Sequence, residues 1–242
     1  MASKRADLLL VERGLFASRS RAQEAIAAGL VSANGFPVGK ASALLPDDVR
    51  VEATAAHPWA SRGGLKLVAA LDAFGLDPAG LACLDIGAST GGFTDVLLSR
   101  GARRIVAVDV GRDQFDPRLK ADPRVTSLEA FDARELTAEM LGEPPQLIVC
   151  DVSFISQRLI LPMALALAAP GAAYVGLVKP QFEVGRAKLK KGAVKDEADL
   201  QMACEDVRGS VEALGWKSLG LIDSPVLGGD GAREFLYAAR NG

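Results

Sequence analysis

"LDIGASTGGFTD", residues 84–95, runs from an apolar stretch into a glycine-rich turn and out into a helical pattern. Gly87, Gly91 and Gly92 let backbone approach a ligand closely and tolerate dihedrals that other residues resist. The spacing G-x-x-x-G-G is neither the G-x-G-x-x-G of dinucleotide sites nor the G-x-x-x-x-G-K-[ST] of triphosphate sites, so neither a pyrophosphate nor a triphosphate is its natural ligand. Asp85, just before the turn, suits a cationic amino acid moiety. Strand, turn and helix in this order predict an α/β fold whose ligand lies beyond the carboxyl ends of its strands.

Outward from this turn the pattern repeats. "ACLDIG", "RRIVAVDVG", "RVTSLEA", "QLIVCDVS" and "AAYVGLVK" read as near-continuous apolar strands, with helical stretches such as "GFTDVLLSRG" and "RLILPMALALAA" between them. A long helix from about residue 197 to 214 precedes two more strands, "KSLGLID" and "REFLYAAR". Such alternation indicates a mostly parallel sheet covered on both faces. Asp109 ends the second strand 24 residues beyond Asp85, where a carboxylate takes ribose hydroxyls, and Asp132 in "AFDAR" is placed to meet an adenine edge. Adenosine without phosphate, joined to a charged amino acid, describes S-adenosyl-L-methionine. Asp151 and Lys179 end two further strands, Glu234 starts the last, and Lys66 lies on the helix "RGGLKLVAALDAFG" ahead of the sheet, so all four can converge on the same edge.

Composition bounds the alternatives. With 242 residues, 49% of them hydrophobic, the chain can bury a substantial core. Its 28 basic and 30 acidic residues give a net charge of −2, without the global basic excess of many nucleic-acid binders, so any cationic contact surface must be local. Cys83, Cys150 and Cys204 are odd in number and widely spaced, which suits buried free thiols and not disulfides or a metal site. The single histidine, His57, removes histidine-dependent triads and multi-histidine metal centres from consideration and reads as a solvated linker residue. No apolar stretch is long enough to span a membrane, and charge returns at Glu12 before a signal-peptide core could form, so a cytoplasmic protein with no membrane or metal partner is expected.

The first fifty-odd residues differ in character. "ADLLLVERGL" carries a helical apolar pattern, Ser18 can cap a second helix that Gly29 ends, "LVSANGFPVG" alternates around the hairpin signal Asn34-Gly35, and "DDVRVEA" supplies another strand. Two helices followed by "AGLVSANGFPVGKAS" and "DDVRVE" resemble the S4 RNA-binding domain. That likeness makes Arg19, Arg21, Gln23 and Lys40 candidates to touch RNA and gives an S4-like α+β domain over residues 1–54. A linker over 55–60 and a second domain over 61–242 complete the expected organisation, since "AAHPWASRGG" has linker composition.

"DIGASTGGF" and "VAVD" resemble the first two motifs of the Rossmann-like class I methyltransferases. Lys66, Asp151, Lys179 and Glu234 match in order and setting the catalytic Lys-Asp-Lys-Glu tetrad of the FtsJ-like ribose 2′-O-methyltransferases. Together with "HPWASRGGLKL", "CDVSFIS", "LVKPQFEVG" and the S4-like front, nearly the whole chain resembles the TlyA family of ribosomal RNA methyltransferases, also called haemolysins. The resemblance implies 2′-O-methylation of a cytidine ribose, with ribosomal RNA or a ribosomal subunit as partner. The chain looks like the family's short form, which is associated with large-subunit RNA. It further implies cofactor contacts from Asp85, Gly87, Ser89, Thr90, Gly91, Gly92, Phe93, Asp109 and Asp132.

A ribose hydroxyl is a poor nucleophile, and a lysine desolvated beside a second cation can serve as its general base or orienter. Lys179 takes that part, with Lys66 as the second cation and the two carboxylates fixing both, although opposite charge also favours a protonated lysine. RNA contacts are expected from Arg62 and from Arg186, Lys188, Lys190 and Lys191 in the loop "GRAKLKKGAVK". The competing readings are a non-catalytic RNA- or ribosome-binding protein that keeps the fold, and a membrane-active haemolysin.

Overall fold

A computed structural model describes residues 3–190, 192–228 and 231–242. The chain divides into two units, Met1–Pro58 and Trp59–Gly242. In the first, β1 (Ser3–Arg5) leads directly into α1 (Ala6–Glu12), followed by α2 (Arg19–Ala27), β2 (Val31–Ala33), β3 (Phe36–Pro37), β4 (Leu44–Pro46) and β5 (Val51–Ala53). Ser18 caps α2, its Oγ accepting the Arg21 N–H at 3.3 Å. Asn34 and Gly35 adopt φ of 50° and 81°, the left-handed pair that a two-residue hairpin turn between β2 and β3 requires. β2 lies between β3 and β5, while β1 pairs with β4, a pairing the sequence pattern did not disclose. Leu10, Ala22, Ile26 and Val31 form the centre of a small apolar core.

Two buried polar groups organise this unit. Asp7 is fully buried, and its carboxylate accepts from Arg5 at 3.0 Å, Arg19 at 3.0 Å and Gln23 at 2.7 Å. The Arg5 hydrogen bond, aided by Gln23 and Arg19, outweighs burial and holds the carboxyl well below the usual range. His57 is not the solvated linker residue expected from sequence. It is 5% exposed, its Nδ1 is 2.9 Å from Arg21 Nη1, and its Nε2 is 3.1 Å from Glu24 Oε2. Arginine can only donate, so Nδ1 accepts and the ring proton on Nε2 points to Glu24. Burial costs this imidazole little because both nitrogens keep partners.

In the second unit α3 (Gly63–Phe74) precedes an alternating series: β6 (Ala82–Ile86), α4 (Gly92–Ser99), β7 (Arg104–Asp109), α5 (Pro117–Lys120), β8 (Val125–Glu129), α6 (Ala138–Leu141), β9 (Leu147–Cys150), α7 (Leu161–Ala166), β10 (Ala173–Val178), α8 (Pro180–Glu183), α9 (Glu197–Glu212), β11 (Trp216–Asp223) and β12 (Phe235–Asn241). The seven strands lie in the order β11-β12-β10-β9-β6-β7-β8. All neighbouring pairs from β10 to β8 are parallel, and β12 inserts antiparallel between β10 and β11. An irregularity between Ser218 and Gly220 interrupts the β11–β12 register.

One apolar cluster, including Leu84, Ile148 and Tyr174, covers one face of the sheet, and another, including Leu67, Leu97 and Val175, covers the other. Alternating residues of each strand feed the two clusters, which is why the strands read as continuous apolar runs. Cys83, Cys150 and Cys204 are buried free thiols, and burial pushes Cys83 and Cys204 up to about 12. From β6 the chain proceeds outward to β7 and β8, then returns to place β9 on the other side of β6. That reversal opens a crevice at the carboxyl ends of β6 and β9.

The His57 arrangement yields a test. Arg21→Ala leaves a buried ring nitrogen without its donor, at a cost of about 1–3 kcal/mol. Native-state hydrogen exchange of amides in α2 and β2 should accelerate correspondingly; unchanged exchange would show the contact to be dispensable.

Candidate active site

At the end of β6 the glycines of the turn are closely packed against the rest of the chain. Gly87 has φ +80°, and a Cβ there would lie 2.5 Å from the Asp151 carbonyl oxygen. A Cβ on Gly91, at φ +94°, would lie 2.4 Å from Leu119 Cδ1, and one on Gly92 would lie 2.2 Å from Ser61 Oγ. All three glycines are therefore demanded by the chain's packing on itself. Ser89 carries the strained left-handed conformation at φ +47°, and its N–H donates to Asp109 Oδ2 at 2.8 Å.

A cleft of about 390 Å³ occupies the crevice. Four of the nine expected cofactor residues line it: Gly87, Ser89, Asp109 and Asp132. Gly91, Gly92 and Phe93 are buried, Thr90 is half-buried, and these four together with Asp85 lie off the cleft wall. Asp109 also accepts from the Gly111 N–H at 2.6 Å and from Gln114 Nε2 at 3.1 Å. Asp132 pairs with Arg134, accepting from its Nε at 3.0 Å, and this bond holds the carboxyl down to about 2. Phe131, Ser153 and Phe154 also line it and were missed in the sequence.

Asp85 is fully buried beneath the turn. Thr94 Oγ1 donates to its Oδ2 at 2.6 Å, while Oδ1 has no hydrogen-bond partner. Burial pushes its carboxyl up to about 7 against the Thr94 bond, with Asp151 and Asp109 adding repulsion. An unsatisfied acceptor at this depth fits a site awaiting a cation, although the expected direct contact would need the ligand to reach below the cleft floor.

The four tetrad residues gather at the same edge. Register pairs Val178 with Phe235, so Lys179 and Glu234 emerge side by side where antiparallel β12 meets β10. Lys179 Nζ donates to Ser153 Oγ at 2.8 Å and lies 2.5 Å from Asp151 Oδ1. Lys66 Nζ donates to Glu234 Oε2, and both residues are buried. α3 reaches the first pair as well, since a Cβ on Gly63 would lie 3.8 Å from Asp151 Oδ2, and Lys66 is one turn further along the same helix face. Phe154, at φ +68°, is 92% exposed, with its ring centroid 5.3 Å from that of Phe182.

The expected RNA contacts are distributed differently. Arg19 and Gln23 are engaged with Asp7, though Arg19 remains half-exposed, and Lys40 is exposed. Half-buried Arg21 donates from its guanidinium to the His57 carbonyl at 2.9 Å and meets the His57 ring. In the second unit Arg62, Arg186 and Lys190 are exposed. Lys188 is tied to Asp199 at 2.7 Å, and Lys191 lies outside the described residues. Among the described residues no cluster of ligating side chains could hold a metal ion, and no helix is long and apolar enough to cross a membrane.

Residues 59–241 match the family model of the FtsJ-like methyltransferases. The chain is 44% identical to the Mycobacterium tuberculosis 16S/23S rRNA (cytidine-2′-O)-methyltransferase TlyA, over 98% of this chain and 89% of that protein. The solved structure of a Streptococcus thermophilus protein described as a hemolysin is 38% identical and superposes with a TM-score of 0.79, covering 100% of this chain and 89% of that one. At 18% identity, a Burkholderia thailandensis N1-methyltransferase solved with S-adenosylhomocysteine shares the fold, with a TM-score of 0.53 over 75% of this chain and 78% of that one.

Asp85 supplies a pH test. Its folded value of about 7 exceeds the ordinary 3.8, so between those limits the folded protein holds a proton that the unfolded chain has released. Its contribution is intact below pH 3.8 and declines as pH rises toward 7, by about 1.4 kcal/mol per pH unit within that window. Urea unfolding at pH 4 and pH 7 should show Asp85→Asn gaining stability relative to the unsubstituted protein as pH rises. A constant difference would contradict the buried, proton-holding carboxyl.

Proposed function

The chain belongs to the FtsJ-like methyltransferase family, and from that premise we propose that it methylates the ribose 2′-hydroxyl of a cytidine in ribosomal RNA with S-adenosyl-L-methionine as methyl donor. The observation that carries this reading is Lys179, held by Asp151 and Ser153 of the cleft wall, with the buried Lys66–Glu234 pair at the same sheet edge. S-adenosyl-L-methionine, when bound, supplies an already activated sulfonium methyl. Asp109 would hold its ribose, the Phe131–Asp132 segment its adenine, and the region above Asp85 its ammonium. The orphaned Asp85 Oδ1 and the phosphate-free character of the turn support that fit.

The chain's remaining task is to align and deprotonate the acceptor. Alignment of reacting groups can be worth roughly 7–11 kcal/mol. Lys179 Nζ faces the acceptor oxygen, with Ser153 Oγ serving as the hydroxyl partner it would exchange for the ribose. Lys179 first releases a proton to solvent, then as the amine takes the hydroxyl proton, and Asp151 stabilises the ammonium that re-forms. Lys66, its charge balanced by Glu234, braces the edge behind Lys179 without a mobile counter-ion. The exposed Phe154 ring offers a stacking face for an unpaired base, the form in which RNA sequence is most often recognised.

Residues 1–54 would act as an S4-like RNA-binding domain through Arg19, Gln23 and Lys40, with Arg62, Arg186 and Lys190 contacting phosphates from the second unit. A cytoplasmic location follows from the proposed substrate. The hemolysin description of the Streptococcus relative gives the contrasting reading, and leakage from liposomes treated with purified protein tests it directly.

Two outcomes check the proposal. Lys179→Ala should keep cofactor and RNA binding but lose roughly 10²–10⁴-fold in single-turnover transfer, and Lys179→Arg should not restore it because arginine keeps its proton. Near-native transfer by the arginine variant would leave only an electrostatic part for Lys179. Neutralising Arg186 and Lys190 together should lower the log–log salt slope of RNA binding by up to about one unit per lost phosphate contact while leaving cofactor affinity unchanged. An unaltered slope would make the loop a bystander. Mapping of 2′-O-methyl groups on both ribosomal RNAs, with and without the gene, identifies the nucleotide.

A further inference from the structure

Four residues beyond Lys179, at the end of α8, the Glu183 side chain is only 2% exposed and belongs to no expected site. Three donors converge on its carboxylate: the Ser156 hydroxyl, the Gln157 N–H at 3.0 Å and Arg158 Nε at 3.3 Å. Arg158 Nη2 also donates to the Glu183 carbonyl at 3.0 Å. Every one of these donors lies on the connection that leaves β9, the segment whose earlier residues are Asp151, Ser153 and Phe154. We propose that Glu183 is a positioning residue for Lys179, clamping this connection against α8 so that Asp151 and Ser153 meet the lysine ammonium.

The reasoning turns on what each side of the clamp carries. Residues 151–156 have no regular secondary structure and include Phe154 at φ +68°, so their path is set by ties to neighbours and not by a backbone ladder. Gln157 makes a second tie: its side chain accepts from the Tyr174 hydroxyl and donates to the Leu177 carbonyl at 3.4 Å, both on the strand that delivers Lys179. Both ties therefore join the strand–helix segment bearing Lys179 to the connection bearing its partners. A glutamine at 183 could still accept the Gln157 N–H, but its amide nitrogen cannot accept from Arg158 Nε. The connection would loosen without losing its apolar packing. A displacement near 1 Å in a reacting group can cost about 10²-fold in rate.

This inference rests on the reading of Lys179 given above, and the experiment separates the two. Single-turnover transfer to ribosomal RNA is measured for the unsubstituted protein, Lys179→Ala, Glu183→Gln and Ser156→Ala, alongside melting temperature and S-adenosyl-L-methionine affinity by calorimetry. Glu183→Gln should lower the maximal rate about 10–100-fold, with cofactor Kd and half-saturating RNA concentration changed less than twofold. Ser156→Ala, which keeps the Glu183 charge but removes the hydroxyl that donates to Glu183 and accepts from the Arg158 N–H and Nε at 3.2 Å, should lower it about 3–10-fold. Native-like rates for both variants, beside an inactive Lys179→Ala, overturn the role of Glu183 and leave the function standing. A Glu183→Gln loss that appears only as weaker cofactor binding and a lower melting temperature makes the residue purely structural and also overturns it. If Glu183→Gln does not fold, Ser156→Ala decides alone, and an unchanged rate rejects the proposal. An active Lys179→Ala instead removes the premise and the inference with it.

Discussion

An ammonium and a carboxylate buried together, Lys66 and Glu234, join α3 to the residue just before β12 across 168 positions of sequence. Removing two charges from water is costly, and such a pair seldom adds net stability over apolar residues of similar size. Its value is conditional: each partner makes the other tolerable, and losing one strands a buried charge at a cost of about 3–5 kcal/mol. The pair also fixes where α3 begins relative to the sheet edge, which brings Gly63 beside Asp151. Gly228 faces the Glu234 carboxylate so closely that a Cβ there would lie 2.2 Å from Oε1, so the connection before β12 is shaped around the pair as well.

From that fixed edge the cleft follows. Strand ends crowd at the reversal between β6 and β9, and Gly87 exists to let the Asp151 carbonyl through. The cleft floor is consequently assembled from backbone that has no room to move, and Asp109 is preordered by three donors of the chain itself. Such preorganisation lowers the ordering cost that a ligand must meet on binding. Gln114 alone among the three donors is a side chain, and it is exposed.

The parallel sheet was legible because strands buried on both faces leave uninterrupted apolar runs, and the reactive edge was legible because charges interrupt those runs at their ends. Asp109, Asp151, Lys179 and Glu234 all announce themselves this way. What the sequence could not disclose depends on partners far away in the chain. The atoms that forbid a side chain at Gly87, Gly91 and Gly92 come from Asp151, Leu119 and Ser61, none of them a sequence neighbour. His57 looked solvated because nothing in its local composition points to Arg21 or Glu24. Glu183 sits in an ordinary acidic-apolar stretch, and only the folded connection reveals three donors aimed at it.

The interrupted register of β11 bears on the protein's behaviour at high concentration. β11 is one border of the sheet, with Leu219 and Leu221 each 42% exposed, and a border strand of that character is a template for unwanted strand addition and aggregation. The irregularity between Ser218 and Gly220 breaks the regular spacing of hydrogen-bonding groups midway along the strand, and exposed Lys217 sets a charge beside the break. A foreign strand could pair over only a few residues before losing step. The border thus keeps its exposed leucines while remaining a poor seed for fibrils.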